Sequence, residues 1–261
     1  MAIVTKDGLQ QIVFVIFAQS ESSYQLARRD LVAMGIAQAQ IVWCNPLSQS
    51  RYDFIKSHQE QWLCFLDHDC RMTSKSLQVL TSLVEVQKSS QQSEVYAGYY
   101  ANPMCASYLQ KAHNLVANIW VEHSFRPESK FNFFLGGAFL VRSWTELPAL
   151  EHQKDNFWGA EDKYLSYLLQ GNGFELKTLV DFEVVHSTTT SWQHFVRRAF
   201  LHGYNEDKMI QYPQEAVSYG FWLRRVGVSG LYLSPAIVLH FCIQRVARLA
   251  QKVPRMSKRY K

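Results

Sequence analysis

The sequence predicts an α/β fold, a single domain on a mainly parallel central sheet followed by a helical, basic C-terminal extension. Three observations predict it. Short apolar runs rich in Val, Ile, Phe and Trp alternate with helix-length segments, the spacing of βαβ units. A chain of 261 residues that is 48% hydrophobic and only 19% charged can bury a full-sized core, which excludes disordered and fibrous classes. The third apolar run ends in Asp67-His68-Asp69, and an open parallel sheet carries its ligand beyond the carboxyl ends of its strands.

The elements follow in order. Residues 12–17 are continuously apolar and read as the first strand; residues 22–34 carry Tyr24, Leu26, Ala27, Leu31 and Met34 at helical intervals, with Gly35 as the stop. Residues 40–44 form the second strand, residues 53–60 a helix, and residues 62–66 the third strand, which runs straight into the two acids. An amphipathic helix over 74–86, a strand over 95–100 and a helix over 110–121 come next, after a loop at 89–93. Residues 131–141 are an apolar run holding Gly136-Gly137, residues 161–169 are a helix ended by Gly171-Asn172-Gly173, and residues 182–185 are a last short strand leading into His186.

Charge and cysteine placement narrow the setting. The net charge is +5, and from Arg245 to Lys261 the chain has seven basic residues and no acid. Such a tail can serve an anionic membrane surface or equally end in solvent, and nucleic acid is not an expected partner. Five scattered cysteines without a Cys-x-x-Cys pair suggest neither a disulfide framework nor a zinc site, and fit a reducing compartment. The first apolar run lacks the basic flank and cleavage site of a signal peptide, so a cytoplasmic protein is expected. Residues 226–243 are interrupted by Ser229, Ser234, Pro235 and His240, and read as packed or interfacial rather than spanning.

An Asp-x-Asp step at a strand end puts two carboxylates within reach of one hard cation, Mn²⁺ or Mg²⁺, with positions left open for phosphate oxygens. Around Asp67 and Asp69, four further stretches fall in a recognisable order. Arg51 stands sixteen positions before Asp67. Phe134-Leu135-Gly136-Gly137-Ala138-Phe139-Leu140-Val141-Arg142 has a glycine pair inside an apolar run; Trp158-Gly159-Ala160-Glu161-Asp162 places two acids at a helix start; and His186 follows the last strand.

Together, over residues 10–205, these stretches resemble the A-type glycosyltransferase (GT-A) fold and its family 2 group. The resemblance implies a nucleotide-binding domain over 1–205 with the extension over 206–261. It implies transfer of a hexosyl unit from a nucleotide-sugar donor, most commonly a UDP-sugar, to a glycan or lipid-linked acceptor. Gln19 and Glu21 would meet the nucleotide base, and Arg51 and Asp67 the diphosphate. Asp67, Asp69 and His186 would hold the metal, and Gly136 and Gly137 would line the donor sugar. Trp158 would stack on the acceptor, and Glu161 would hydrogen-bond sugar hydroxyls. Asp162 would be the base of an inverting transfer. Residues 187–198 would close over the donor, with Arg197 or Arg198 on the diphosphate. Tyr52 and Ala160 depart from the family's usual asparagine and glycine.

Two rivals stand beside this reading. Phe65-Leu66-Asp67-His68-Asp69 with Thr73 also fits a haloacid-dehalogenase-like phosphotransferase, which needs a later lysine and a downstream acidic motif that the sequence lacks. A non-catalytic binding protein on the same scaffold would account for Tyr52 and Ala160, but would have been free to lose the acids.

Overall fold

A computed structural model describes residues 6–45, 50–127, 129, 132–149, 161–187, 191–206 and 230–252. After a short helix α1 (Lys6–Gln10) come β1 (Ile12–Phe17), α2 (Glu21–Ala33), β2 (Ile41–Cys44), α3 (Arg51–Ser57) and β3 (Trp62–Asp67). Then follow β4 (Cys70–Met72), α4 (Ser74–Val86), β5 (Glu94–Ala101), α5 (Tyr108–Ser124) and β6 (Ala138–Arg142). The chain continues through α6 (Glu161–Gly171), β7 (Glu175–His186), α7 (Trp192–Glu206) and α8 (Ser234–Lys252).

The seven strands form one sheet in the order β2-β1-β3-β6-β5-β7-β4. Five of them share a direction while β6 and β4 run against it, so three of the six pairings are antiparallel. The expectation of a mainly parallel sheet therefore holds for strand direction but not for pairing. The reason lies at β6, whose Ala138–Arg142 run inserts antiparallel between β3 and β5. All six residues of β3 but Asp67 are buried, and Phe65 stacks on Phe139 of β6 at 4.7 Å. Full burial of one such ring is worth about 1.5–3 kcal/mol, so these central strands form a rigid floor.

Two edges differ from expectation. The last strand spans Glu175–His186 rather than 182–185. Its charged residues hid it, and three of them are paired: Lys177 bonds Glu94 at 2.6 Å and Glu175 at 3.0 Å, and Asp181 bonds Lys75 at 2.6 Å. The β5–β7 register shifts between Ala97 and Tyr99, where a Cβ on Gly98 would stand 2.7 Å from Phe182. β4, a strand too short to show any pattern, pairs with β7 beyond that irregularity.

α8 packs on α7 and α5 over a second, smaller core that includes Val116, Ile119, Phe195, Leu233 and Ile237. No helix among the described residues is long and apolar enough to cross a membrane. Residues 207–229, and with them the start of the 226–243 run, lie outside the described residues.

Candidate active site

The floor of the site is the strand end itself. Asp67 closes β3 beside Phe17 of β1, and the backbone N–H of His68 bonds Phe17 O at 3.1 Å, fixing the acidic turn to the neighbouring strand. Ser50 caps the start of α3, accepting from the Asp53 N–H at 3.1 Å. That start sets Arg51 in the first turn, with its guanidinium 3.6 Å above the Phe17 ring and paired to the Asp67 carboxylate. Burial works against the Arg51 charge, but Asp67, Glu161, Cys44 and Asp162 outweigh it and hold the guanidinium protonated.

Around this pair lies a cavity of about 310 Å³, lined among others by Tyr100, His113, Gly136, Glu161, Asp162 and Arg198. A Cβ on Gly137 would stand 2.8 Å from Cys70 Sγ and 2.9 Å from Asp67 Oδ2, so only glycine leaves the acidic turn its room. A Cβ on Gly136 would meet Asp162 at 3.4 Å and Arg51 at 3.5 Å, which places the glycine pair between the two acidic ends of the cleft.

Opposite Asp67, α6 begins with Glu161 and Asp162. Asp162 accepts the backbone N–H of Lys163 at 2.8 Å. Burial raises its pKa above the ordinary carboxylate value, against the lowering influence of Lys163, Arg51 and the Gly136 N–H. Glu161 is reached by water at the rim, yet the dense cleft walls and then Asp162 raise it too, with Arg51 opposing.

On the other side, Asp69 Oδ2 lies 3.5 Å from His186 Nε2, and Cys70 Sγ lies 3.8 Å from Asp69 Oδ1. Burial disfavours the Asp69 charge, but the hydrogen bond and charge of His186, with His68 and Arg198, bring its pKa down to about 2. Tyr100 stacks on the His186 ring at 4.4 Å. Arg198 donates to His113 Nε2 at 3.2 Å, and burial followed by the Arg198 charge keeps His113 neutral. Burial, then Asp67 and Asp69, push the Cys70 thiol well up.

One cleft thus gathers Arg51, Asp67, Gly136, Glu161, Asp162 and Arg197 in its lining, with Asp69 and His186 at its back. Of the two candidate arginines, Arg197 is exposed on the rim, whereas Arg198 is half-buried and its charge bears on Asp69. Gln19 and Glu21 are exposed beyond β1 and line no part of this cavity. Trp158, with Gly159 and Ala160, and residues 188–190 of the expected closing segment lie outside the described residues; 192–198 begin α7. Among the described residues, donor atoms within 4.8 Å of one another come from Asp69, Cys70 and His186; Asp67, one oxygen of which pairs with Arg51, stands outside that trio. Sequence reasoning missed Cys70 and His113: the first sat in an unpredicted strand, the second inside an ordinary helical pattern. The signal for Cys70 was its position directly after an acid pair at a strand end.

The ligand set suits a divalent cation. A carboxylate, an imidazole and a thiol have donor atoms within 4.8 Å of one another, beside the space Gly137 keeps clear.

No protein-family model matches the chain, and no curated protein matches it. Among solved structures that match is the mannosyltransferase PcManGT from Pyrobaculum calidifontis in complex with GDP-Man and Mn²⁺. It shares 11% identity over 92% of this chain and 74% of that chain, with a TM-score of 0.49. At so loose an overlap, function has to be read from the cleft itself.

Proposed function

We propose that the protein is a metal-dependent glycosyltransferase that moves a sugar from a nucleotide-sugar donor to a hydroxyl acceptor. The observation that carries the reading is the opposition, across one cavity, of a cation-binding end (Asp69, His186) and a raised-pKa carboxylate (Asp162), with Gly136-Gly137 between them. The resemblance of the sequence to the A-type fold points the same way.

Glycosyl transfer asks for charge neutralisation on a departing diphosphate and a base on the far side of the anomeric carbon. Asp69 and His186 would hold a divalent cation, Mn²⁺ or Mg²⁺ by family habit, which would supply the first by screening the charge on the diphosphate. Arg198, inside the cleft, adds a guanidinium to the same charge. The acceptor oxygen forms its bond to the anomeric carbon as the bond from that carbon to the diphosphate oxygen breaks. The bonding pair leaves with the nucleoside diphosphate, and the hydroxyl proton passes to Asp162. Such a displacement inverts the anomeric centre. Glu161, at the rim, would bond sugar hydroxyls, and the resemblance gives Trp158 the role of stacking on the acceptor. Asp67, oriented by Arg51, closes the diphosphate end. A UDP-sugar donor, a glycan or lipid-linked acceptor and attachment of the basic tail (residues 245–261) to an anionic membrane surface at the cytoplasmic face complete the proposal; the 1–205 and 206–261 division goes with it.

The phosphotransferase reading is less well served, because the described residues lining the main cavity supply arginines and histidines but no lysine to hold a phosphoaspartate. Thermal shift with a panel of nucleoside diphosphates and nucleotide sugars, with and without Mn²⁺, tests the proposal. A metal-dependent rise in melting temperature, lost in Asp67→Ala/Asp69→Ala, supports it. A folded protein that responds to no nucleotide sinks it.

A further inference from the structure

The short strand β4 has a consequence for the cation. Antiparallel pairing sets Cys70 directly opposite His186, and directly opposed residues send their side chains to the same face. Asp69, one position earlier, is pinned by its own carbonyl, which accepts the Ser187 N–H at 3.1 Å and the Ser187 hydroxyl at 2.9 Å. The thiol and imidazole are 5% and 2% exposed. His186 is further fixed by the Tyr100 ring, 14° from parallel. The three donor atoms lie within 4.8 Å of one another. Around one tetrahedral ion they would stand about 3.4–3.7 Å apart, so a closure on the order of 1 Å completes the set.

We infer that Cys70 is the third protein ligand of the cation site, and that the site selects a thiophilic divalent cation of the Zn²⁺, Co²⁺ or Fe²⁺ class over Mg²⁺. The inference rests on the reading that a cation serves this cleft. A hard ion such as Mg²⁺ wants six oxygens in octahedral array, and this corner offers one carboxylate. A carboxylate, an imidazole and a sulfur are instead the donor mixture of borderline and soft ions, which deprotonate a coordinating thiol outright. Three protein ligands would leave a tetrahedral ion one position for an exogenous oxygen, such as one from a diphosphate. The Asp67 carboxylate, held by Arg51, stays in the diphosphate end of the cleft as a neighbour of the site and not as a ligand.

Cobalt reports sulfur directly. Chelator-treated protein titrated with Co²⁺ is expected to develop a near-ultraviolet sulfur-to-cobalt charge-transfer band saturating at one equivalent. The band should persist in Cys105→Ser/Cys242→Ser, which removes the two exposed thiols, and vanish in Cys70→Ser with affinity weakened about 100-fold or more. Zn²⁺ should displace Co²⁺ stoichiometrically, and Mg²⁺ should not in large excess. Zn²⁺ should also protect one wild-type thiol, mapped to Cys70 by mass spectrometry, from alkylation, a readout that does not require the variant to fold. A cobalt spectrum without the sulfur band, unchanged affinity in Cys70→Ser, or displacement by Mg²⁺ overturns the inference. A sulfur band with no response to any nucleotide leaves the inference standing and removes the transferase reading. Mg²⁺-dependent nucleotide binding that survives Cys70→Ala does the reverse.

Discussion

Replacing Arg51 with Met tests the electrostatic design of the cleft. Met keeps an apolar stem over Phe17 but leaves Asp67, Glu161 and Asp162 without the buried cation that faces them. Removing one partner of a buried ion pair costs about 3–5 kcal/mol; with side-chain exposures of 7% for Arg51 and 26% for Asp67, the lower end applies. The expected loss is therefore about 3 kcal/mol, a fall in melting temperature of roughly 6–12 °C for a chain of this size. Its pH dependence is the sharper test. Arg51 lowers the pKa of both Glu161 and Asp162, so without it both rise further above their unfolded values. A carboxyl raised in the folded state contributes stability below its unfolded pKa and loses it as pH rises through the folded one. The deficit of Arg51→Met should thus be largest at pH 8 and shrink on acidification to pH 5. Urea unfolding followed by tryptophan fluorescence at both values measures it. A variant within 1 kcal/mol of wild type at both pH values, or a deficit that grows in acid, would refute the argument.

Three more outcomes are expected. Asp162→Asn should cut transfer about 10²–10⁴-fold while leaving the melting curve intact, and the wild-type rate should fall on acidification at a pH above that of an ordinary carboxylate, because the base must be ionised and its pKa is raised. Gly137→Ala puts a methyl 2.8 Å from Cys70 Sγ and 2.9 Å from Asp67 Oδ2; calorimetric cation affinity should drop by about tenfold or more with modest loss of stability. Lys177→Met strands Glu94, which is 2% exposed, and should cost about 2 kcal/mol in urea unfolding, less than a fully buried pair because Lys177 is 34% exposed.

The parts of the molecule legible in the sequence are those whose pattern is local. β1, α2, β3 and α4 announce themselves through continuous apolar runs and helical spacing. The family resemblance put Arg51 and Asp67 at one site, and the two side chains form an ion pair. What the sequence withheld depends on pairing across distance. Nothing local marks Cys70–Met72 as a strand, and no spacing rule puts Cys70 opposite His186. The charges of β7 masked it because their partners lie on β5 and α4, invisible to any window. Arg198 could not be chosen over Arg197 until α7 showed which face turned inward.

The pairing of β4 with β7 also sets an order of events during synthesis. Asp69 receives the hydrogen bonds of Ser187, 118 positions later, so the acidic turn is on the ribosome long before the strand that anchors it. Until β7 emerges, a nascent chain carries β5 with one unsatisfied edge and β4 with no strand beside it in the sheet. Contacts of such long range are slow to form, and an open strand edge invites pairing with other chains. Truncation before β7 should yield a product that chaperones retain or that aggregates, and the binding corner is among the last parts of the molecule to be born.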